Sequence, residues 1–312
     1  MTFHPDVLNY FASVASEFPP PGTEPTAQAS RALHQRLARR LGVGRALQTV
    51  RTFTVPGPTG EIACRLYSDR PPGSLPLLIF LHGGGWIGGD LDTHDVFCRE
   101  LAFGADCGVI AVDYRLAPEN KFPGGYEDCL AACTYILAHA AELGIDPARI
   151  AIGGDSAGGN LAAAVVQALR QAEGKQPCFQ LLIYPFTDFR MATPAFTEMQ
   201  VPGFSAREAA WCVDQYLSSI SEARDLRASP ALAGSLSGLP PTFVVTAEFD
   251  VLRDDGEAYA LALAKAGVPV QVRRYLGVPH GFLAMPPDLE VTASAIGDVC
   301  KALRAAFEEK AA

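Results

Sequence analysis

The pentapeptide Gly154-Asp155-Ser156-Ala157-Gly158 lies between a short apolar run, residues 150–152, and a helical run, residues 159–173. A serine on so tight a strand-to-helix turn is driven into a strained backbone conformation, and glycines two positions before and after it leave room for that turn. The hydroxyl then stands clear of the sheet. The first amides of the following helix, and its positive dipole end, point at the same spot. A neutral hydroxyl is a weak nucleophile, so this chemistry needs a base to take its proton and an acid to hold that base.

The chain has six histidines. His4 and His34 fall in the N-terminal region, His94 and His139 on predicted helices and His82 in a glycine loop. Only His280 follows the last strand in a loop, Val278-Pro279-His280-Gly281-Phe282, and it is the predicted base. The acid is sought after the strand at 242–246. Asp250 lies just past that strand's end and is preferred; Glu248 is the runner-up, and Asp254 and Asp255 are explained as the N-cap and first turn of the next helix. Negative charge developing on an attacked carbonyl oxygen must meet positioned donors. His82-Gly83-Gly84-Gly85-Trp86 directly follows a strand, and the amides of Gly83, Gly84 and Ala157 make the predicted three-donor oxyanion hole. Trp86, Phe204, Trp211 and Phe282 are the candidates for an apolar pocket.

These residues must be positioned by a sheet. Residues 1–48 read as helical, with helices at 6–17 and 26–41, and are followed by an antiparallel hairpin of strands 50–55 and 61–67. Buried apolar runs at 77–81, 109–113, 150–152, 180–184, 242–246 and 270–275 then alternate with helices at 95–105, 126–143, 157–173, 255–266 and 288–309, of which those at 126–143, 157–173 and 255–266 are stopped by Gly144, Gly174 and Gly267. This is the pattern of an α/β fold with a mostly parallel central sheet covered by helices on both faces. The interval after Tyr184 is too long for a simple crossover and holds a helix at 206–217. The expected division is a core of residues 49–187 and 230–312, and a helical cap formed by residues 1–48 and the insertion 188–229.

Composition narrows the classes of function. The chain has 312 residues, 49% of them hydrophobic and 19% charged, enough for a large core. A formal net charge of −9 has the wrong sign for holding nucleic acid. No apolar stretch approaches the roughly 20 residues of a membrane span. The start lacks a basic region and carries Asp6 and Glu17, so a cytoplasmic location is expected. The eight cysteines are scattered without a C-x-x-C pair and read as core residues; Cys129 and Cys133, four apart, mark a buried stripe rather than a metal site. No metal and no cofactor is expected.

Four motifs occur in order: His82-Gly83-Gly84-Gly85-Trp86; Asp113-Tyr114-Arg115-Leu116-Ala117-Pro118-Glu119; Gly154-Asp155-Ser156-Ala157-Gly158-Gly159-Asn160; and His280-Gly281-Phe282. In them the chain resembles the hormone-sensitive-lipase family of α/β-hydrolases, above all its bacterial carboxylesterases. The resemblance implies Ser156 as nucleophile, His280 as base, Asp250 as acid, the amides of Gly83, Gly84 and Ala157 as oxyanion donors, and a helical cap. It also implies hydrolysis of short- to medium-chain acyl esters without a cofactor, and homodimers through the last strand and helix. Val251 departs from the family's acid motif, which has Pro there. Other motif residues, among them His82, Asp155 and Asn160, are expected to brace loops rather than react. The same machinery suits an amide hydrolase, such as an aryl formamidase or N-acetyl hydrolase. A ligand receptor of this fold is the reading from another class; the plant receptors that resemble the family have lost the histidine retained here as His280.

Overall fold

The computed structural model describes residues 2–20, 22–71, 73–172, 175–201 and 203–310. Two helices, α1 (Pro5–Val14) and α2 (Ala27–Arg40), precede the hairpin β1 (Thr49–Gly57) and β2 (Gly60–Ser68). There follow β3 (Leu75–Leu81), α3 (Asp95–Gly104), β4 (Gly108–Val112), α4 (Gly124–Ala138), β5 (Ile145–Asp155), α5 (Ala157–Gln171) and β6 (Phe179–Ile183). The insertion carries α6 (Pro194–Glu198) and α7 (Ala206–Tyr216), and the chain closes with β7 (Thr242–Phe249), α8 (Arg253–Lys265), β8 (Val270–Pro279) and α9 (Glu290–Glu308).

The strands form one eight-stranded sheet in the order β1-β2-β4-β3-β5-β6-β7-β8. β1 and β2 are antiparallel to each other and β2 is antiparallel to β4; the remaining pairs are parallel. Side-chain alternation along the fully buried β3 divides the core in two. Leu77, Ile79 and Leu81 pack with Cys129, Cys133 and Ile136 of α4 and with Leu161 and Val165 of α5. Leu78 and Phe80 pack with Phe97 and Leu101 of α3 and with Val299 and Leu303 of α9. Both faces are therefore covered, which is why the central strands read as unbroken apolar runs.

All eight expected strands are present, and the helices differ from expectation at their ends. α4 stops at Ala138, short of the Gly144 expected to end it; the His139 amide and imidazole both bond the Tyr135 carbonyl, and the chain continues in tight turns. α8 starts at Arg253, with Leu252 as its N-cap, so Asp254 and Asp255 both lie in the first turn and neither is the cap. α9 starts at Glu290, after a 3-10 turn at Phe282–Ala284. α1 ends at Val14 and passes into a 3-10 turn, Ala15–Glu17. α5 ends at Gln171, and the expected stop at Gly174 lies outside the described residues.

The insertion is held at both ends by the core. Asn160 on α5 donates through Nδ2 to the carbonyls of Phe186 and Ala228, each at 2.7 Å. Gln167, two turns on, donates to the Pro230 carbonyl and the Tyr259 hydroxyl. The buried Asp255 carboxylate accepts the Thr187 amide and hydroxyl. Removing the Asn160 amide would strand two carbonyls away from water, at about 1–3 kcal/mol each. Asn160→Ala is therefore expected to destabilise the fold by about 2–4 kcal/mol, read as a lower urea midpoint at unchanged slope.

Candidate active site

Ser156 has φ 53° and ψ −117°, a conformation that costs an L-residue about 1–3 kcal/mol and persists only where its surroundings enforce it. They do so here. Its amide donates to the Ile183 carbonyl at 2.8 Å and its carbonyl accepts the Asn160 amide at 3.0 Å. A side chain at Gly158 would overlap the Leu81 carbonyl oxygen, so α5 begins as close to β3 as only glycine permits.

The other two reactive groups reach Ser156 because β7 and β8 are neighbours whose paired positions include Phe249 and Pro279. Asp250 and His280 are the residues that directly follow these two strands. His280 Nε2 lies 2.8 Å from Ser156 Oγ, and His280 Nδ1 lies 2.7 Å from Asp250 Oδ2. The Asp250 carboxylate is fully buried, and its other oxygen accepts the Leu252 amide at 2.8 Å. With Asp250 Oδ2 accepting at Nδ1, that nitrogen carries the hydrogen and Nε2 is left to accept the serine proton. Glu248, the runner-up, instead accepts the Gly277 amide at 2.7 Å and braces the His280 loop. The geometry brings together Ser156, His280 and Asp250.

The glycine loop corrects one expected donor. The Gly83 amide donates to Asp155 Oδ1 at 2.7 Å and is not free for an oxyanion. Among the described residues, the amides of Gly84, Gly85 and Ala157 have no acceptor. Asp155, expected to settle the elbow, thus also binds the neighbouring loop. Burial by itself disfavours its charge, but His94, with Nε2 3.4 Å away, and the Gly83 amide prevail and hold the carboxyl below its ordinary range. The bracing role expected of the second motif is present: the Tyr114 hydroxyl donates to the His82 carbonyl at 2.7 Å, and the Ala117 amide to the Trp86 carbonyl.

Of the four pocket candidates, two are corrected. Trp86 is 2% exposed, with its ring stacked on Tyr216 at 4.8 Å and edge-on to Phe189. Phe282 is fully buried between Tyr184 and Tyr275. Both belong to the core, because full packing removes these large apolar surfaces from water. Trp211 is half-buried against the insertion's core face, and Phe204 stands directly on His280. Sequence reasoning missed Tyr184, whose ring lies 4.8 Å from the His280 imidazole; its place at the end of β6, beside the elbow, was the available signal. A cavity of about 300 Å³ between the insertion and α8, lined by Phe186, Met191, Phe196, Leu252 and Tyr259, is not lined by Ser156, Asp250 or His280.

Comparison with known proteins gives concordant findings. A family model described as alpha/beta hydrolase fold matches residues 78–284. The carboxylic ester hydrolase LipN of Mycobacterium tuberculosis is 46% identical over 265 residues, 82% of this chain and 70% of that protein. The carboxylesterase NlhH of the same species is 42% identical, over 78% of this chain and 80% of its own. The hyperthermophilic esterase of Pyrobaculum calidifontis superposes with a TM-score of 0.91 at 35% identity, covering 98% of this chain and 99% of that one.

His82 supplies a test of the loop's electrostatics. Its ring stacks on Tyr114 at 4.3 Å and its Nδ1 donates to the Gly83 carbonyl at 2.8 Å, while among the described residues Nε2 has no partner. Burial, reinforced by His94, pushes the imidazole down to about 4. An unfolded chain takes up this proton near the ordinary value of about 6.5. Between the two values the unfolded state binds more protons, so the contribution to stability is complete above about 6.5 and is lost as pH falls towards 4. The urea midpoint is expected to fall over that window, with a shallower fall in His82→Gln; equal slopes would assign the effect to other groups.

Proposed function

The chain belongs to the alpha/beta-hydrolase family, as its motifs implied, and from that membership we propose a serine carboxylesterase in which Ser156, His280 and Asp250 form the catalytic triad. The unbroken path of hydrogen bonds from Asp250 Oδ2 through both nitrogens of His280 to Ser156 Oγ carries the assignment. Ser156 Oγ attacks the ester carbonyl carbon while His280 Nε2 takes its proton. The charge that develops on the carbonyl oxygen is received by the amides of Gly84, Gly85 and Ala157, each donor worth roughly 10²–10³ in rate. Collapse of the tetrahedral intermediate expels the alcohol, which leaves with the proton from Nε2. Water then attacks the acyl-serine, giving its proton to His280, and the carboxylic acid departs as that proton returns to Oγ.

The substrates proposed are short- to medium-chain acyl esters. The cap is assigned to residues 1–48 with the insertion 188–229. Its docking on the core is supported by Arg31 of α2, which donates to the Ile87 carbonyl at 2.7 Å and the Ala117 carbonyl at 2.9 Å and pairs with both oxygens of Glu119. A reducing cytoplasm suits eight cysteines that are all unpaired. No helix of the described residues is long and apolar enough to cross a membrane.

Ser156→Ala is expected to lower turnover of p-nitrophenyl acetate by about 10⁴-fold or more with little change in the fold. A serine-directed phosphonate should label Ser156 alone. Asp250→Asn should cost about 10⁴-fold through the wrong imidazole tautomer, and Glu248→Gln far less; the assignment fails if Ser156→Ala keeps its activity or if only the Glu248 change destroys it.

A homodimer across the β8 edge is also proposed. The edge exposes Val272 and Leu276, at 49% and 67%, on the terminal strand of the sheet, and such an edge invites a second copy. Sedimentation of the purified chain as a dimer, and of Leu276→Lys as a monomer, is the expected result. A monomeric wild-type chain at micromolar concentration would remove the proposal.

A further inference from the structure

Resting on the triad reading above, we infer that Phe204, carried by the insertion, is a positioning residue for the base: its ring lies on the face of the His280 imidazole and favours the imidazolium that forms as Ser156 attacks. The two centroids are 4.6 Å apart and the planes differ by 27°. The edges of the imidazole are already committed, Nδ1 to Asp250 and Nε2 to Ser156, so its faces are where a further group can act. Tyr184 meets the ring at a steeper angle of 59°, which leaves Phe204 as the flat neighbour.

An aromatic face carries negative charge density and attracts a cation within about 6 Å of the ring centroid. A neutral imidazole gains nothing from that attraction, and a protonated one does. The contact is therefore stronger in the transition state than in the ground state, which is the condition for raising kcat rather than merely lowering KM. Phe204 is held for this role by the start of α7. Ser205, the next residue, caps that helix by accepting the Glu208 amide, while the Glu208 carboxylate accepts the Ser205 amide at 2.8 Å. The ring thus sits on the first residue before a closed capping box, not on a free loop end.

The groups that face His280 are Asp250 from the β7–α8 turn, Ser156 from the elbow and Tyr184 from the end of β6, with Asp155 behind Ser156. All are unchanged by substitution at 204. Phe204→Leu keeps apolar cover over the ring and removes the aromatic face; Phe204→Trp keeps both. With p-nitrophenyl acetate, Phe204→Leu is expected to lower kcat about three- to tenfold at nearly constant KM and to move the acid limb of the kcat/KM profile about half a pH unit lower. Phe204→Trp should restore both. The inference is overturned if Phe204→Leu changes KM alone, if it leaves kcat and the acid limb in place, or if Phe204→Trp behaves like Phe204→Leu. Phosphonate labelling of wild-type Ser156 separates the two levels: labelling with an unmoved acid limb removes only the role of Phe204, whereas an unlabelled Ser156 removes the triad beneath it.

Discussion

The hydrogen bond from the Gly83 amide to Asp155 Oδ1 joins the loop after β3 to the residue before the nucleophile, and the site takes its shape from that bond. β3 and β5 are already paired, with Leu81 opposite Gly154, so the two loops leave the sheet side by side. Pairing brings them near one another; the carboxylate sets their separation. A side chain on Gly83 would overlap the Asp155 carboxyl group, and one on Gly158 would overlap the Leu81 carbonyl oxygen. Loop and elbow therefore meet at distances that leave no room for adjustment. Donors held in this way need no rearrangement when charge appears, and that is the source of their catalytic value.

The strain at Ser156 is maintained by the same economy of contacts. The serine amide and carbonyl are bonded on either side, to Ile183 and Asn160, and the Asn160 side chain goes on to hold both ends of the insertion. A departure of the elbow from its φ of 53° would shift the first turn of α5, and with it the carbonyls of Phe186 and Ala228. The insertion that brings Phe204 to His280 is thus mechanically continuous with the nucleophile. Asp255 adds a second tie from α8, the helix that follows Asp250, to Thr187 at the start of the insertion. Burial pushes that carboxyl up to about 7 against the hydrogen bonds from Thr187, so the tie consists of a group that the interior disfavours as a charge and its donors favour as one.

The strands, and the residues here proposed to react, are legible in the sequence because each leaves a local mark. A strand buried on both faces reads as an apolar run, and a serine between glycines at a strand end reads as an elbow. Asp250 is preferred in the sequence for its place just past the strand end, with Asp254 and Asp255 set aside as helix-start residues and Glu248 kept as the runner-up. What was not legible depends on contacts distant along the chain. Gly83 and Gly85 are equivalent by type, and only the carboxylate of Asp155, from another strand, decides whose amide is free. Trp86 and Phe282 have the apolar surface of pocket residues, and their burial follows from Tyr216 and Phe189 in one case and from Tyr184 and Tyr275 in the other. The strand order, with β4 outside β3, leaves no local trace.

Two buried carboxylates flank Ser156, and their partners decide what each does in the proposed reaction. Asp250 directs one oxygen at His280 Nδ1 and gives the other to a single backbone amide, so its charge acts on the imidazole that must become a cation. Asp155 lies closer along the chain to the oxyanion, where an unbalanced negative charge would oppose the reaction. Its charge is offset by the Gly83 amide and by His94. The first amides of α5, a helix of 15 residues, add positive potential at Ser156 and offset what remains. Exchange of the two carboxylates' partners would leave the composition of the site unchanged and take the charge away from the imidazole. The chemistry therefore depends less on which acids are present than on which strand end each acid leaves.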